Sequence, residues 1–147
     1  MKNSIAEINL NYIPKKIKPG VKITHSEKAY EVILDIWDKG TLEFLEEFKI
    51  LLLNNSNEVL GLHTLSKGGI TFTSVDLRVL FGVLLKSAAT GFITAHNHPS
   101  GKLKPSQQDI ALHKKVKKIA NFHEINYLDN LIITPKGKYS FQDEGDF

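Results

Sequence analysis

The chain has 147 residues, 41% of them apolar, a net charge of +3 and no cysteine. That is the size and composition of one globular domain with its own core, not of a disordered chain. Disulfides, thiolate zinc sites and cysteine nucleophiles are excluded. The opening MKNSIAEINLNYIPKK holds no long apolar run. Neither a signal peptide nor a membrane anchor is expected, and the protein is read as soluble and cytoplasmic.

Residues 1–24 contain Pro14, Pro19 and Gly20 without a sustained period, and read as an N-terminal extended arm before a domain over 25–147. Ser26 is expected to cap a helix running to about Asp38, because Ala29, Tyr30, Ile33, Leu34 and Trp37 share one face. Gly40 is expected at a left-handed position beyond its end. Residues 46–54 and 58–66 read as strands joined into a hairpin by NNSN. Residues 74–88 read as a helix capped by Ser74 and apolar nearly all round. Such a helix belongs between core layers, with Gly82 permitting close packing. Residues 90–96 read as a strand, 106–121 as a helix, 126–133 as a strand and YSF as a last short strand. The result is an α/β class domain: a single mixed sheet flanked by helices.

The stretch TAHNHPSGKLKPSQQD, residues 94–109, carries the chemistry. If the strand persists to residue 98, alternation turns His96 and His98 to one side and Asn97 to the other. Pro99 and Gly101 then take the chain out of the sheet, and strand ends facing a loop crevice are where α/β sheets place ligands. In the next helix Asp109 heads the stripe of Leu112, Val116, Ile119 and Ala120, which must be the buried one because lysines cover the other side. A carboxylate there needs a partner. Two imidazoles and an acid fit a zinc ion with one open position. A plainer reading also stands: Ser106-x-x-Asp109 is a helix cap, and the histidines belong to a polar turn.

His96-x-His98, seven residues, then Ser106-x-x-Asp109 matches the JAMM motif, and HNHPSG…PSQQD resembles the RadC branch of the JAB/MPN metalloprotease superfamily. The likeness runs from about Lys22 to Phe141. It implies a JAB/MPN (cytidine-deaminase-like) fold in which His96, His98 and Asp109 ligate Zn2+ and Ser106 contacts the reacting oxygen. It also implies a glutamate at the start of an early strand as general base. EEFKILLLN resembles the RadC segment in a way that selects Glu46 over Glu47, and Glu47 on the opposite side looks the more solvated. The RadC helix-hairpin-helix region is expected to be missing. Asn130 stands where the family has a histidine.

The implied activity is hydrolysis of a peptide or isopeptide bond in a DNA-repair context, the substrate being an unknown peptide or protein. A competing function is a non-catalytic DNA-binding accessory protein. It would use Lys15, Lys16, Lys18 and Lys22, with Lys102, Lys104, Lys114, Lys115, Lys117 and Lys118 as a second cluster. His113, four residues after Asp109, is a further candidate near the site. His63 and His123 read as structural and His25 as exposed.

Overall fold

A computed structural model describes residues 4–9, 11, 13, 20–69 and 74–147. The elements run α1 (Ser26–Ile36), β1 (Glu47–Leu53), β2 (Val59–Lys67), α2 (Leu77–Lys86), β3 (Gly91–Asn97), α3 (Gln107–Phe122), β4 (Asn126–Thr134) and β5 (Gly137–Ser140). The five strands form one sheet in the order β2-β1-β3-β4-β5. Only β3 and β4 are parallel; β1 pairs antiparallel with both β2 and β3, and β4 with β5. A single mixed sheet flanked by helices is therefore present, with β1 and β2 as the expected hairpin.

Helices on both sides bury every residue of β1 and β3, the polar Glu47, Lys49, Thr94, His96 and Asn97 included. On one face Ile33 and Trp37 of α1 pack over Leu51, Leu53, Ile93, Leu131 and Ile133. On the other, Leu80 and Leu84 of α2 and Val116 and Ala120 of α3 cover Phe48, Ile50, Leu52 and Phe92. Strand β2 lies at the edge and is only half-buried. Among the described residues no helix is long and apolar enough to cross a membrane.

Several local expectations are corrected. Residue His25, not Ser26, occupies the α1 cap position and makes no side-chain cap bond; the Ser26 hydroxyl instead donates to Asp143. Gly40 is not left-handed; its N–H bonds Asp38 Oδ1 in a local turn. Helix α2 starts at Leu77 behind Asp76, whose carboxylate accepts from the Arg78 N–H at 2.9 Å. Val79 and Leu85 stay about half exposed, so α2 covers one face rather than lying between layers. A side chain at Gly82 would meet nothing within 4 Å, so no close packing depends on it. Much of the expected arm, with Lys15, Lys16 and Lys18, lies outside the described residues. At its end Lys22 bridges Glu58 antiparallel and Ile23 enters the core.

His113 is buried in an aromatic cluster. Its ring centroid lies 5.2 Å from Tyr127, 4.6 Å from Phe141 and 4.7 Å from Phe147, and its Nδ1 is 3.4 Å from Asn130 Nδ2. Burial, helped by the Lys117 charge, pushes its pKa down to about 4. Between that value and the free-imidazole value of about 6.5, the unfolded chain binds a proton that the folded chain does not. Stability is therefore lost as pH falls through this window. His113→Leu should remove on the order of 2 kcal/mol of the acid loss between neutral pH and pH 4. Urea midpoints across pH measure this, and parallel pH profiles for the two proteins would contradict it.

Candidate metal centre

Strand β3 ends at Asn97, but the extended backbone carries on, with the His98 N–H bonded to the Ile133 carbonyl at 3.3 Å. Alternation then places His96 and His98 on one side, their Nε2 atoms 3.0 Å apart. The chain turns at once: the Gly101 N–H reaches the His98 carbonyl at 2.8 Å, and Gly101 takes φ +81, which favours glycine. The loop returns the Lys102 carbonyl to His98 Nδ1 at 2.7 Å. Donation from Nδ1–H to that carbonyl is the second bond a histidine needs to offer Nε2 to a metal. His96 is buried and lies parallel to the Phe48 ring, centroids 6.0 Å apart.

Ser106 and Asp109 open α3 with a reciprocal cap. The Asp109 N–H donates to Ser106 Oγ at 3.1 Å, and the Ser106 N–H to Asp109 Oδ2 at 2.7 Å. The same carboxylate meets both histidines, Oδ1 3.3 Å from His96 Nε2 and Oδ2 3.3 Å from His98 Nε2. The cap and the cluster thus hold together; one does not replace the other. Burial would raise the Asp109 pKa, but hydrogen bonds from His96, His98 and the Ser106 N–H outweigh it and hold the carboxyl well below the usual range. At His98 burial opposes the charged form, and the Asp109 hydrogen bond, the Lys102 carbonyl and nearby acids overcome it, so its pKa is raised.

Glu46 arrives from the opposite side. It sits one residue before β1, held by its N–H on the Gly69 carbonyl at 3.1 Å and its carbonyl under the Gly68 N–H at 2.8 Å. One ligand atom each from Glu46, His96 and His98 lie within 4.8 Å of one another, a group that could hold a metal ion. Burial lifts the Glu46 carboxyl above its ordinary value; the two histidines pull it down and Asp109 adds to the rise. Glu46, His96, His98, Ser106 and Asp109 all line one cavity of about 610 Å3. Two imidazoles whose Nε2 atoms converge beside two carboxylates form a donor set suited to a divalent transition metal.

Glu47 is not the solvated glutamate. It is 1% exposed, with Lys49 Nζ at 3.5 Å, Lys67 Nζ at 3.6 Å and the Thr41 hydroxyl at 3.4 Å. The division of faces holds, since Glu46 sides with the cavity and Glu47 with Lys49, over Trp37. His113 does not line the cavity. Sequence reasoning missed what Asn97 does. Fully buried on the face opposite the histidines, its amide donates to the carbonyls of Leu42 and Leu45 at 2.7 and 2.8 Å and accepts the Glu47 N–H at 2.7 Å. The signal was the residue type: a buried strand asparagine must spend both ends of its amide. Asn97→Leu should strand three backbone groups and cost about 2–4 kcal/mol in urea unfolding. A loss below about 0.5 kcal/mol would refute the clamp.

Residues 23–146 match the RadC-like JAB domain. A UPF0758 protein of Flavobacterium johnsoniae is 48% identical over 126 residues, covering 86% of this chain and 54% of the relative. One from Porphyromonas gingivalis is 44% identical, covering 84% and 53%. The UPF0758 protein YkfG of Escherichia coli K12 is 34% identical, covering 87% and 79%. The chain thus spans about half the length of the first two relatives. With that match over most of its length, the chain belongs to the RadC-like JAB domain family.

Proposed function

We propose that this protein is a cytoplasmic zinc-dependent hydrolase of peptide or isopeptide bonds. The observation that carries the reading is the convergence of His96 Nε2, His98 Nε2 and both Asp109 oxygens within 3.3 Å contacts, with Glu46 facing them across the cavity. His96, His98 and Asp109 would hold the ion. A zinc ion there supplies a Lewis acid that makes water nucleophilic at neutral pH.

The chain's own groups do the rest. Glu46, its pKa raised by burial, accepts a proton from the attacking water and returns it to the leaving amine. Ser106 Oγ accepts the Asp109 N–H and keeps its own hydrogen to donate to the developing oxyanion. Phe48, Val75 and Leu112 on the cavity wall limit the water around both events. The two carboxyls divide their work by environment: one is held ionised by its donors, the other kept basic by burial.

A second reading rests on the outer face of α3. Lys114 and Lys118 are exposed there, and Lys102 and Lys104 are exposed in the preceding loop. Lys117 is already engaged, its ammonium on the Phe147 carbonyl and over that ring. A DNA-repair accessory role would use these cations on phosphates. It requires DNA affinity that falls linearly with salt on a logarithmic plot; no binding at low salt would remove it.

For the hydrolase, Glu46→Gln should bind zinc at the wild-type stoichiometry while losing about 10²- to 10⁴-fold in turnover. His98→Ala should lose the zinc. Elemental analysis of the purified proteins, with cleavage of a peptide library followed by mass spectrometry, reads both. Undiminished cleavage by Glu46→Gln would remove the base from the scheme.

A further inference from the structure

The cavity is larger than a reacting amide requires, and it extends along α3. Gln108, Ala111, Leu112 and Lys115 line it at positions i, i+3, i+4 and i+7, a single stripe of the helix. Two features along this wall have no task in the proposed chemistry.

The first is Lys115. Among the described residues it is the only lysine or arginine lining the cavity, it is exposed, and no carboxylate lies within ion-pair distance of it. Both cavity acids belong to the metal centre. The second is Asn130. It lines the same cavity at 3% exposure, and its Oδ1 has no hydrogen-bond partner. A buried amide oxygen without a donor is costly, and a substrate N–H would relieve it.

The spacing gives these groups a common meaning. Lys115 lies six residues beyond Asp109, about 9 Å along the helix axis. An extended peptide advances about 3.3 Å per residue, so that span is two to three residues. Asn130 stands between the two ends, on the strand next to β3 and opposite Thr94, two residues before His96.

We propose that the end of the cavity remote from the metal centre is a subsite for a substrate carboxylate, bound by Lys115 two to three residues from the scissile amide, with Asn130 contacting the backbone between them. The carboxylate comes from an acidic side chain or from a free C-terminus; both present the same charged acceptor to an ammonium. This rests on the amide-hydrolase reading, which puts the scissile bond at Glu46, His96 and His98.

The test uses labelled hexapeptides with Glu, Gln or Lys at the third position from the central amide, each with a free or an amidated C-terminus. Binding to the intact protein is followed by fluorescence anisotropy for wild type, Lys115→Ala, Lys115→Glu and Lys115→Arg. Wild type and Lys115→Arg should bind a carboxylate peptide about fivefold tighter than its neutral counterpart. Lys115→Ala should lose the preference and Lys115→Glu should turn it toward the Lys peptide. The amidated Glu peptide and the free-acid Gln peptide separate the two sources of the carboxylate. Equal preferences in wild type and Lys115→Glu, or no binding by any peptide, would overturn the subsite. Product formation is scored separately by mass spectrometry. A carboxylate preference without cleavage leaves the subsite standing and counts against hydrolysis; cleavage without a Lys115 effect does the reverse.

Discussion

The site depends on one buried amide. Asn97 stands between the two histidines in sequence, and strand alternation sends it to the other side of the sheet. There it ties the end of β3 to the segment entering β1, through the Leu42 and Leu45 carbonyls and the Glu47 N–H. The bond to Glu47 sets where β1 begins, and so which side the preceding residue faces. A one-residue slip would turn Glu46 away from the cavity and Glu47 into it. The His-x-His spacing thus carries two messages. The outer residues provide ligand atoms; the middle one aligns the strand that brings the opposing carboxylate.

A second constraint comes from the start of α3. Asp109 closes the first turn by accepting the Ser106 N–H, and the positive end of the helix favours its charge. Because the same carboxylate reaches both imidazoles, the cap orients the cluster at no extra cost in side-chain freedom. His98 is fixed in the same way by the Lys102 carbonyl at the end of its own tight turn. Local backbone motifs, a capping box and a Pro-Ser-Gly turn, therefore set the orientation of three polar groups whose sequence separation is small. Only Glu46 needs long-range construction, and Asn97 supplies it.

This division explains what the sequence made legible. The element order, the mixed sheet and the grouping of His96, His98, Ser106 and Asp109 follow from short periods and motifs, which single-chain reading detects. Glu47 shows the limit. Its burial is compensated by Lys49 two residues on, by Thr41 from the preceding turn and by Lys67 from the neighbouring strand. Charged residues at a strand start look solvated until the partner strand is placed. Helix α2 is shorter than the expected 74–88 for a related reason. Its apolar residues suggest burial all round, but only one side of it lies against the sheet, where Leu80, Phe81 and Leu84 are. Gly82 then has nothing to approach.

The two faces of the sheet carry different kinds of polar group. On the α1 face, Asp129 alternates with Leu131 and Ile133 and is spent on structure. It accepts the Ser140 hydroxyl at 2.6 Å and the N–H groups of Asn130 and Gln142 at 2.7 and 3.1 Å, tying β4 to the turn after β5. Glu47, on that face too, ties β1 to β2. Burial raises the Asp129 pKa although these donors pull the other way. Among the described residues the buried polar side-chain atoms without partners are Trp37 Nε1 on the α1 face and His96 Nδ1, His113 Nε2 and Asn130 Oδ1 on the α3 side. The charged groups of the α1 face are paired within the chain, Glu47 with Lys49 and Lys67 and Asp129 with its three donors. The face that holds the site keeps open valences, and unpaired buried groups in native proteins call for a ligand or water to complete them.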